Sequence, residues 1–261
     1  MHLTVATSIL VSMVAVAAAD DNARPPAIEP EAINALQKMG TFLREQQSFT
    51  VHTTTETDYV IDNGQKVRLS SRGDLRVRRP DHMRADVVSD RKQRQFFYDG
   101  KTFTMYGPRV GYYATVAAPN TINGLANTLE DEYGLEFPLV DLFRLGSEPA
   151  TIRAITSATV IGPEKLDGVL TDHYAFRQPG LDWQIWIERG PRPVPRKLVL
   201  TTTDVPARPE HSVAMTWELG ARHPDSVFSF VPPKDGSRIA MAPLLEARAQ
   251  QARRAPDSVR N

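Results

Sequence analysis

The sequence predicts a mainly β fold with some helix, in the α+β class: one large curved antiparallel sheet, or half-barrel, of about 10 to 11 strands. Three observations predict it. Apolar and polar residues alternate through most of the chain, as in strands with one face in a core and one in water. Turn signals such as Asn63-Gly64 and Gln178-Pro179-Gly180 join these strands by short connections. A helical period occurs mainly near the N-terminus and at mid-chain, which places helices over one face of the sheet.

Residues 1–19 form an apolar run without acidic residues, Lys or Arg, and the run ends in Ala17-Ala18-Ala19. This pattern predicts a cleavable signal peptide. A membrane anchor is the alternative, although Thr and Ser residues interrupt the run. The chain has no cysteine, which rules out an acylated N-terminal Cys and disulfide bonds. We therefore expect an exported, periplasmic protein without a lipid anchor.

The segment 20–30 is polar and rich in Pro and Ala, and it is predicted to be a linker. A single domain is then expected over residues 31–240. Its first element is a helix that starts at Pro30-Glu31, because apolar side chains recur there at three- and four-residue steps. These side chains are Ile33, Leu36, Met39, Phe42 and Leu43.

Strands follow the first helix. The first two, from Phe49 to Ile61 and from Val67 to Val77, are joined by a predicted two-residue turn at Asn63-Gly64. Short Gly- and Pro-containing turns separate most of the others. The remaining predicted strands are Met83–Val88, Gln95–Tyr98, Lys101–Tyr106, Val110–Val116, Ala158–Ile161, Leu170–Arg177, Trp183–Glu188, Arg196–Thr203, Val213–Leu219 and Phe228–Phe230.

A helical insertion interrupts the strands over about residues 120–146. Asn120-Thr121 is the predicted N-terminal cap of its first helix, and Gly134 its predicted end. A second short helix is expected from Pro138 to Leu145. The last segment, 241–261, is expected to be a helix or a disordered tail.

Aromatic residues concentrate between Phe96 and Tyr113 and lie on both faces of the predicted strands, as Trp183 and Trp186 do later. A strongly twisted sheet of this size curls, and helices over one face then enclose a space. Two interpretations stay open: the rings fill the core, or some line an apolar cavity that admits a ligand. The pattern leaves open which face is the inner one. The candidate lining residues are Phe96, Tyr98, Phe103, Met105, Tyr112, Trp183, Ile185 and Trp217 on strands, with Leu125 and Leu129 on the inserted helix.

All 31 basic and 31 acidic residues follow residue 19, so the charges balance and a globally basic nucleic-acid-binding surface is excluded. A basic cluster near residues 78–94 is explained equally by contact with anionic lipid headgroups or a protein and by a soluble edge hairpin. An acidic cluster on the insertion indicates a solvated helix face more than a docking face or cation site. The basic cluster is Arg78, Arg79, Arg84, Arg91, Lys92 and Arg94, and the acidic cluster is Glu130, Asp131, Glu132 and Glu136.

The sequence carries no motif of catalysis, metal binding or cofactor binding. Its histidines lack the paired spacing of a metal site, and it has no nucleophile elbow, phosphate loop or zinc-protease motif. Asp172 and His173 adjoin in a predicted strand, so their side chains point to opposite faces and are not expected to pair. We expect no catalytic residue, no metal and no cofactor, with an unrecognised hydrolase as the alternative.

The stretch RRPDHMRADVVSDRKQRQFFYDGKTFTMYGPRVGYYATV, residues 78–116, resembles an uncharacterised family of predicted periplasmic proteins. The order of elements, the link from Trp186-Ile187-Glu188-Arg189 to Pro193-Val194-Pro195-Arg196 and the ending Phe228-Ser229-Phe230-Val231-Pro232-Pro233 resemble the LolA/LolB-like lipoprotein-carrier superfamily. This resemblance implies a half-barrel covered by helices, with an apolar concavity for acyl chains. The mid-chain insertion departs from the carrier pattern, so the resemblance extends to the fold and the ligand class and not to the transport pathway.

These observations predict a periplasmic protein that binds a hydrophobic ligand, such as a lipid, an acyl chain or a lipoprotein anchor, between its sheet and its helices. Carriage of that ligand or envelope maintenance would be its role. The alternative is an envelope interaction module with a fully packed sheet. The expected partners are a lipid or acylated ligand and inner- or outer-membrane envelope proteins, and not nucleic acid.

Overall fold

The computed structural model of the protein describes residues 27–135 and 149–243. Its helices are α1 (Pro30–Glu45), α2 (Ile122–Tyr133) and the short α3 (Pro149–Arg153), with a 3-10 turn at Asp225–Val227. Within the described ranges, no helix has both the length and the apolar character needed to cross a membrane. The predicted leader, most of the predicted linker, the second inserted helix Pro138–Leu145 and the segment 244–261 lie outside the described residues.

The described strands form one sheet, in the order β12-β6-β5-β4-β3-β2-β1-β11-β10-β9-β8-β7. All neighbours pair antiparallel except the two-residue β12, which runs parallel to β6. The prediction of one large antiparallel sheet with helices on one face is confirmed. The strands are β1 (Ser48–Val60), β2 (Lys66–Arg78), β3 (His82–Ser89), β4 (Gln93–Tyr98), β5 (Thr102–Gly107), β6 (Tyr112–Ala117), β7 (Ser157–Leu166), β8 (Val169–Gln178), β9 (Leu181–Glu188), β10 (Pro195–Thr202), β11 (Glu210–Leu219) and β12 (Ser237–Arg238).

The helix α1 begins where the sequence predicts, at Pro30, whose fixed φ suits the first helical turn. Its apolar residues recur on one side and are buried, so the helix packs through a single stripe. The buried side chains are Ala32, Leu36, Met39 and Leu43, all at most 1% exposed.

The ends of α2 also follow the predicted signals. Thr121 is the N-cap, and its Oγ1 accepts a 3.0 Å hydrogen bond from the main-chain N–H of Gly124. At the other end Gly134 adopts φ +62°, a left-handed conformation that glycine reaches without a Cβ penalty. Its N–H donates to the carbonyl of Glu130 at 3.1 Å, and the N–H of Leu135 donates to the carbonyl of Leu129 at 2.9 Å. The side chains of Leu125 and Leu129 are buried between these ends.

The first hairpin, β1–β2, pairs along its whole length, from Ser48 with Arg78 to Val60 with Lys66. The predicted two-residue turn is a three-residue loop, because Ile61 still bonds to the carbonyl of Gln65 at 3.0 Å. Gly64, at φ +81°, supplies the left-handed residue that such a loop needs.

Two expectations about the ends of the domain are corrected. The predicted strand Phe228–Phe230 is wrong: the residues follow a 3-10 turn and pair with no strand, and the prolines at 232 and 233 disfavour a ladder. The sheet instead gains β12 further on. At the other end, Ile28 already pairs with Ala158 of β7, so sheet contacts begin before residue 31.

Candidate ligand-binding face

Strand register places all the predicted lining residues of the strands on the face covered by the helices. Phe96 and Met105 lie in one cross-strand row, and Tyr98 and Phe103 in the next. These rows continue across the sheet to β1, where Phe49 and Val51 are buried. The first row runs Val51, Leu75, Ala85, Phe96, Met105, Ala114, and the second runs Phe49, Val77, Met83, Tyr98, Phe103, Val116.

Six of the ten candidates are core residues. They belong to one continuous cluster that joins the sheet to α1 and α2, and none is more than 3% exposed. Trp183, for example, stacks on Phe176 with ring centroids 4.2 Å apart. For these side chains, core packing is the structural role that the arrangement shows. The six are Tyr98, Phe103, Trp183, Ile185, Leu125 and Leu129.

On β4 and β5, the burial of the helix-side residues decreases along the strand, away from Tyr98 and Phe103. Phe96 and Met105 are only half-buried, although both pack against the core, and Val87 on the adjacent β3 is half-buried too. We call Val87, Phe96 and Met105 the apolar margin. It lies where the well-covered part of the helix-side face ends, and it offers aliphatic and aromatic surface on three neighbouring strands.

The last two candidates differ from each other. Trp217 is half-buried, its ring lies 5.5 Å from that of Phe49, and its indole Nε1–H donates a 2.7 Å hydrogen bond to the carbonyl of Pro195. Tyr112 lies on the same face as Met105 by strand register but is 51% exposed, at the end of β6. Phe96 and Met105 are therefore direct cross-strand neighbours, and Tyr112 lies one row further along the same face. Trp217 is separated from Phe96 by three strands.

The aromatic residues of the opposite face have a different partner, which the sequence analysis missed. After β11 the chain crosses that face as a segment that we call the C-terminal strap, residues 221–238. The ring of Phe230 lies 5.0 to 5.5 Å from those of Phe97, Tyr106 and Tyr113. The aromatic residues on the two faces of the sheet thus belong to two packing surfaces, one under the helices and one under the strap. The motif Phe228-Ser229-Phe230 followed by two prolines was the available signal.

Phe228 is the fully buried anchor of the C-terminal strap. Its ring lies 5.2 Å from His82 and 5.9 Å from His223, with the guanidinium of Arg78 5.2 Å from its centroid. Arg78 also pairs with Asp225 of the strap at 2.6 Å and donates to the carbonyl of His223. Both apolar and charged contacts hold this segment on the sheet.

The prediction that Asp172 and His173 do not pair is confirmed. Asp172 forms an ion pair with Arg189 at 2.8 Å, on the helix side. His173 lies on the other face, stacks on Trp186 at 3.9 Å and exchanges a hydrogen bond with Gln184. The residues described contain no group of three or more His, Cys, Asp or Glu side chains arranged to hold a metal ion.

The hairpin β1–β2 carries a buried carboxylate. The side chain of Asp58 is only 3% exposed and accepts hydrogen bonds from Arg68 Nε at 2.8 Å and from the main-chain N–H of Glu210 at 3.2 Å. Lys66 adds a second positive group at 3.3 Å. The bond from Arg68 is the main reason that the pKa of Asp58 lies well below its usual range. This carboxylate ties β1, β2 and β11 together.

A polar cleft of about 450 Å³ separates the first half of α1 from the ends of β8 and β9. Tyr174 and Ile187 form part of its wall, and burial raises the pKa of the Tyr174 hydroxyl, with the carboxylates of Asp172 and Glu31 adding to the effect. The mixture of charges makes this cleft unlike the apolar margin. Its polar lining consists of Glu31, Asn34, Lys38, Asp172, Glu188 and Arg189.

Residues 32–242 match the family model described as predicted periplasmic protein (DUF2092). The chain belongs to this family. The resemblance drawn from residues 78–116 is thereby confirmed, and the family description supports a periplasmic location. No curated protein matches the sequence.

Solved structures give this DUF2092 protein distant neighbours. LprF from Mycobacterium bovis is 16% identical, with a TM-score of 0.47 over 82% of this chain and 100% of the other. The Mycobacterium tuberculosis lipoprotein LppX is 10% identical, with a TM-score of 0.38 over 72% and 94%. A chain of the Pseudomonas aeruginosa MucA/MucB complex is 14% identical, with a TM-score of 0.42 over 77% and 61%.

Proposed function

We propose that this DUF2092 protein binds a lipid or another acyl-bearing molecule on the helix-covered face of its sheet, at the apolar margin. The protein would act in the periplasm, reached through the leader at residues 1–19 and without a lipid anchor. A role as carrier of the bound lipid, or in envelope maintenance, is part of the proposal. We further propose that it is not an enzyme.

The observation that carries the proposal is the half-burial of Phe96 and Met105 beside the fully buried Tyr98 and Phe103. Both side chains lie next to core residues on the same face, Phe96 with its ring 6.2 Å from that of Phe103. A hydrocarbon chain laid over them would remove apolar surface from water, at about 25 cal/mol per Å². Because the margin spans three strands, it suits an extended chain more than a compact polar ligand.

The proposal is tested with protein purified from the periplasm. Native mass spectrometry followed by organic extraction and lipid identification should find a lipid in stoichiometric amount, or else the empty protein should take up added fatty acid or phospholipid. A protein that is stable, empty and unable to take up either contradicts the proposal. The alternative of an envelope interaction module with a packed sheet would then be preferred.

Variants separate binding from folding. Met105→Trp replaces the flexible thioether with a bulky indole ring, which should occupy the margin and lower the uptake of a fluorescent fatty acid. The protein should stay folded, because Met105 is only half-buried. Phe103→Ala is the contrasting variant, because Phe103 is fully buried and its truncation should destabilise the fold by about 3 to 5 kcal/mol. If Met105→Trp binds the probe as well as the unmodified protein does, the margin is not the site.

A further inference from the structure

Two neighbouring hairpin turns form a small platform at one end of the sheet. The turns β3–β4 and β5–β6 lie at the same end because consecutive antiparallel strands reverse at alternate ends. Arg109 joins them: its guanidinium donates to the carbonyls of Ser89, at 3.0 Å, and of Asp90. We call residues 88–94 and 107–112 the basic rim.

The basic rim concentrates positive charge in a chain whose formal net charge is zero. Arg91, Lys92 and Arg94 are exposed, and none forms an ion pair within the part of the chain that the structure describes. Among the described residues, Arg109 bonds to carbonyl groups and to no carboxylate, so none of them neutralises its charge. Asp90 is the one acidic residue of these two segments. The electrostatic potential at this end of the protein is therefore positive.

The structure divides the basic cluster that the sequence suggested. The guanidinium of Arg84 donates two hydrogen bonds to the carboxylate of Asp86, at 2.9 and 3.0 Å. Arg78 forms an ion pair with Asp225 of the C-terminal strap at 2.6 Å. These two cations are neutralised on the face opposite the helices. Arg79 is partly buried and donates to the carbonyl of Gln46 at 3.1 Å. The exposed members of the cluster are Arg91, Lys92 and Arg94, in and after the β3–β4 turn.

Exposed apolar side chains stand among these charges. Val88 is 42% exposed, Val110 at the β5–β6 turn is 66% exposed, and Tyr112 is 51% exposed. Cations interleaved with aliphatic and tyrosyl side chains match the interface of a bilayer, where anionic headgroups lie above accessible acyl chains.

The basic rim is continuous with the apolar margin. Arg94 precedes Phe96 by two residues in β4, so both side chains point to the helix side of the sheet. Tyr112 pairs with Gly107, two residues beyond Met105, and lies on the same side. A surface held against the rim would therefore adjoin the proposed ligand site.

We propose that the basic rim docks on the anionic surface of a phospholipid bilayer, with Val110 and Tyr112 entering the headgroup region. Anionic headgroups complement the unpaired cations, and a fluid surface can adapt to the long exposed side chains of Arg91, Lys92 and Arg94. The docking surface goes beyond the ligand site proposed above and does not require that site to be occupied.

The test is co-sedimentation of the purified protein with vesicles of phosphatidylcholine alone or mixed with phosphatidylglycerol. The protein should bind the mixed vesicles more tightly, and added salt should weaken binding, because the attraction is screened. Arg91→Glu with Lys92→Glu should weaken binding by about tenfold or more. Val110→Asp should also weaken it, because a carboxylate would meet the headgroups.

The matched control is Lys101→Glu with Arg192→Glu, which changes the net charge equally at exposed cations outside the rim. It should lower binding far less. Equal binding to both vesicle types, or an equal loss of vesicle binding in the control variant, overturns the proposal. If the rim substitutions leave vesicle binding unchanged but abolish binding to an envelope protein, the rim binds a protein and not a bilayer. Uptake of a soluble fatty-acid probe should survive the rim substitutions, so failure of docking and failure of the ligand site are distinguishable.

Discussion

The hydroxyl of Tyr98, on β4, donates a 2.5 Å hydrogen bond to the main-chain carbonyl of Pro119, just before α2. Nearby, the N–H of Ile122 donates to the carbonyl of Pro80 at 2.9 Å. Burial raises the pKa of Tyr98 to about 12, aided by the carboxylates of Asp81 and Asp99. The hydroxyl therefore keeps its proton near neutral pH and holds the start of α2 against the sheet.

Tyr98→Phe should leave the carbonyl of Pro119 without its buried partner. We expect a loss of about 1 to 3 kcal/mol in the free energy of unfolding, measured by urea titration. Tyr106→Phe is the control, because the hydroxyl of this half-buried tyrosine makes no hydrogen bond within the described residues. A Tyr98→Phe protein as stable as the control would show that the bond contributes little.

Trp183→Ala should damage the fold and not only a ligand site. Trp183 is 3% exposed and stacked on Phe176, so its truncation should cost about 3 to 5 kcal/mol of unfolding free energy. Tyr112→Ala, at an exposed position, should change stability by less than about 0.5 kcal/mol. Thermal unfolding of the two variants side by side is the measurement. If the Trp183→Ala protein is stable but takes up less lipid, Trp183 lines the ligand site and is not a core residue.

Phe228→Ala should loosen the C-terminal strap. The ring is fully buried beside His82 and His223, so we expect a loss of about 3 to 5 kcal/mol. Amide hydrogen exchange should rise in the strap and in the strands beneath it, since removal of the anchor favours local opening. Val231→Ala, at a residue that is 80% exposed, should change neither quantity. Exchange rates unaltered by Phe228→Ala would contradict the anchoring role.

Asp58 should contribute to stability in a pH-dependent way. Its pKa is lower in the folded protein than in the unfolded chain, chiefly through Arg68. The contribution is therefore present above the ordinary aspartate pKa of about 4 and is lost as the pH falls below that value. Asp58→Asn should lower the unfolding free energy at neutral pH by about 1 to 3 kcal/mol and flatten its acid dependence. Urea titrations of both proteins at neutral and acidic pH measure this, and parallel pH profiles would contradict it.

Much of the fold was predictable because its signals are local. The caps of α2 depend on Thr121 and Gly134 alone, and the first hairpin on the glycine at 64. The strap was not predictable in this way. Phe228 and Phe230 carry the alternation of a short strand, and only their contacts with residues more than a hundred positions earlier reveal their role.

The sequence by itself determined strands β1 to β11, the two main helices and the aromatic residues on both pleat faces, because alternation, helical period and turn chemistry act between near neighbours in the chain. Only the tertiary structure decided which of these rings are core. Phe96 and Tyr98 share a strand, a face and a residue class, yet Tyr98 is fully buried and Phe96 only half-buried. Burial depends on which distant elements cover each position, and no period in the sequence encodes that cover.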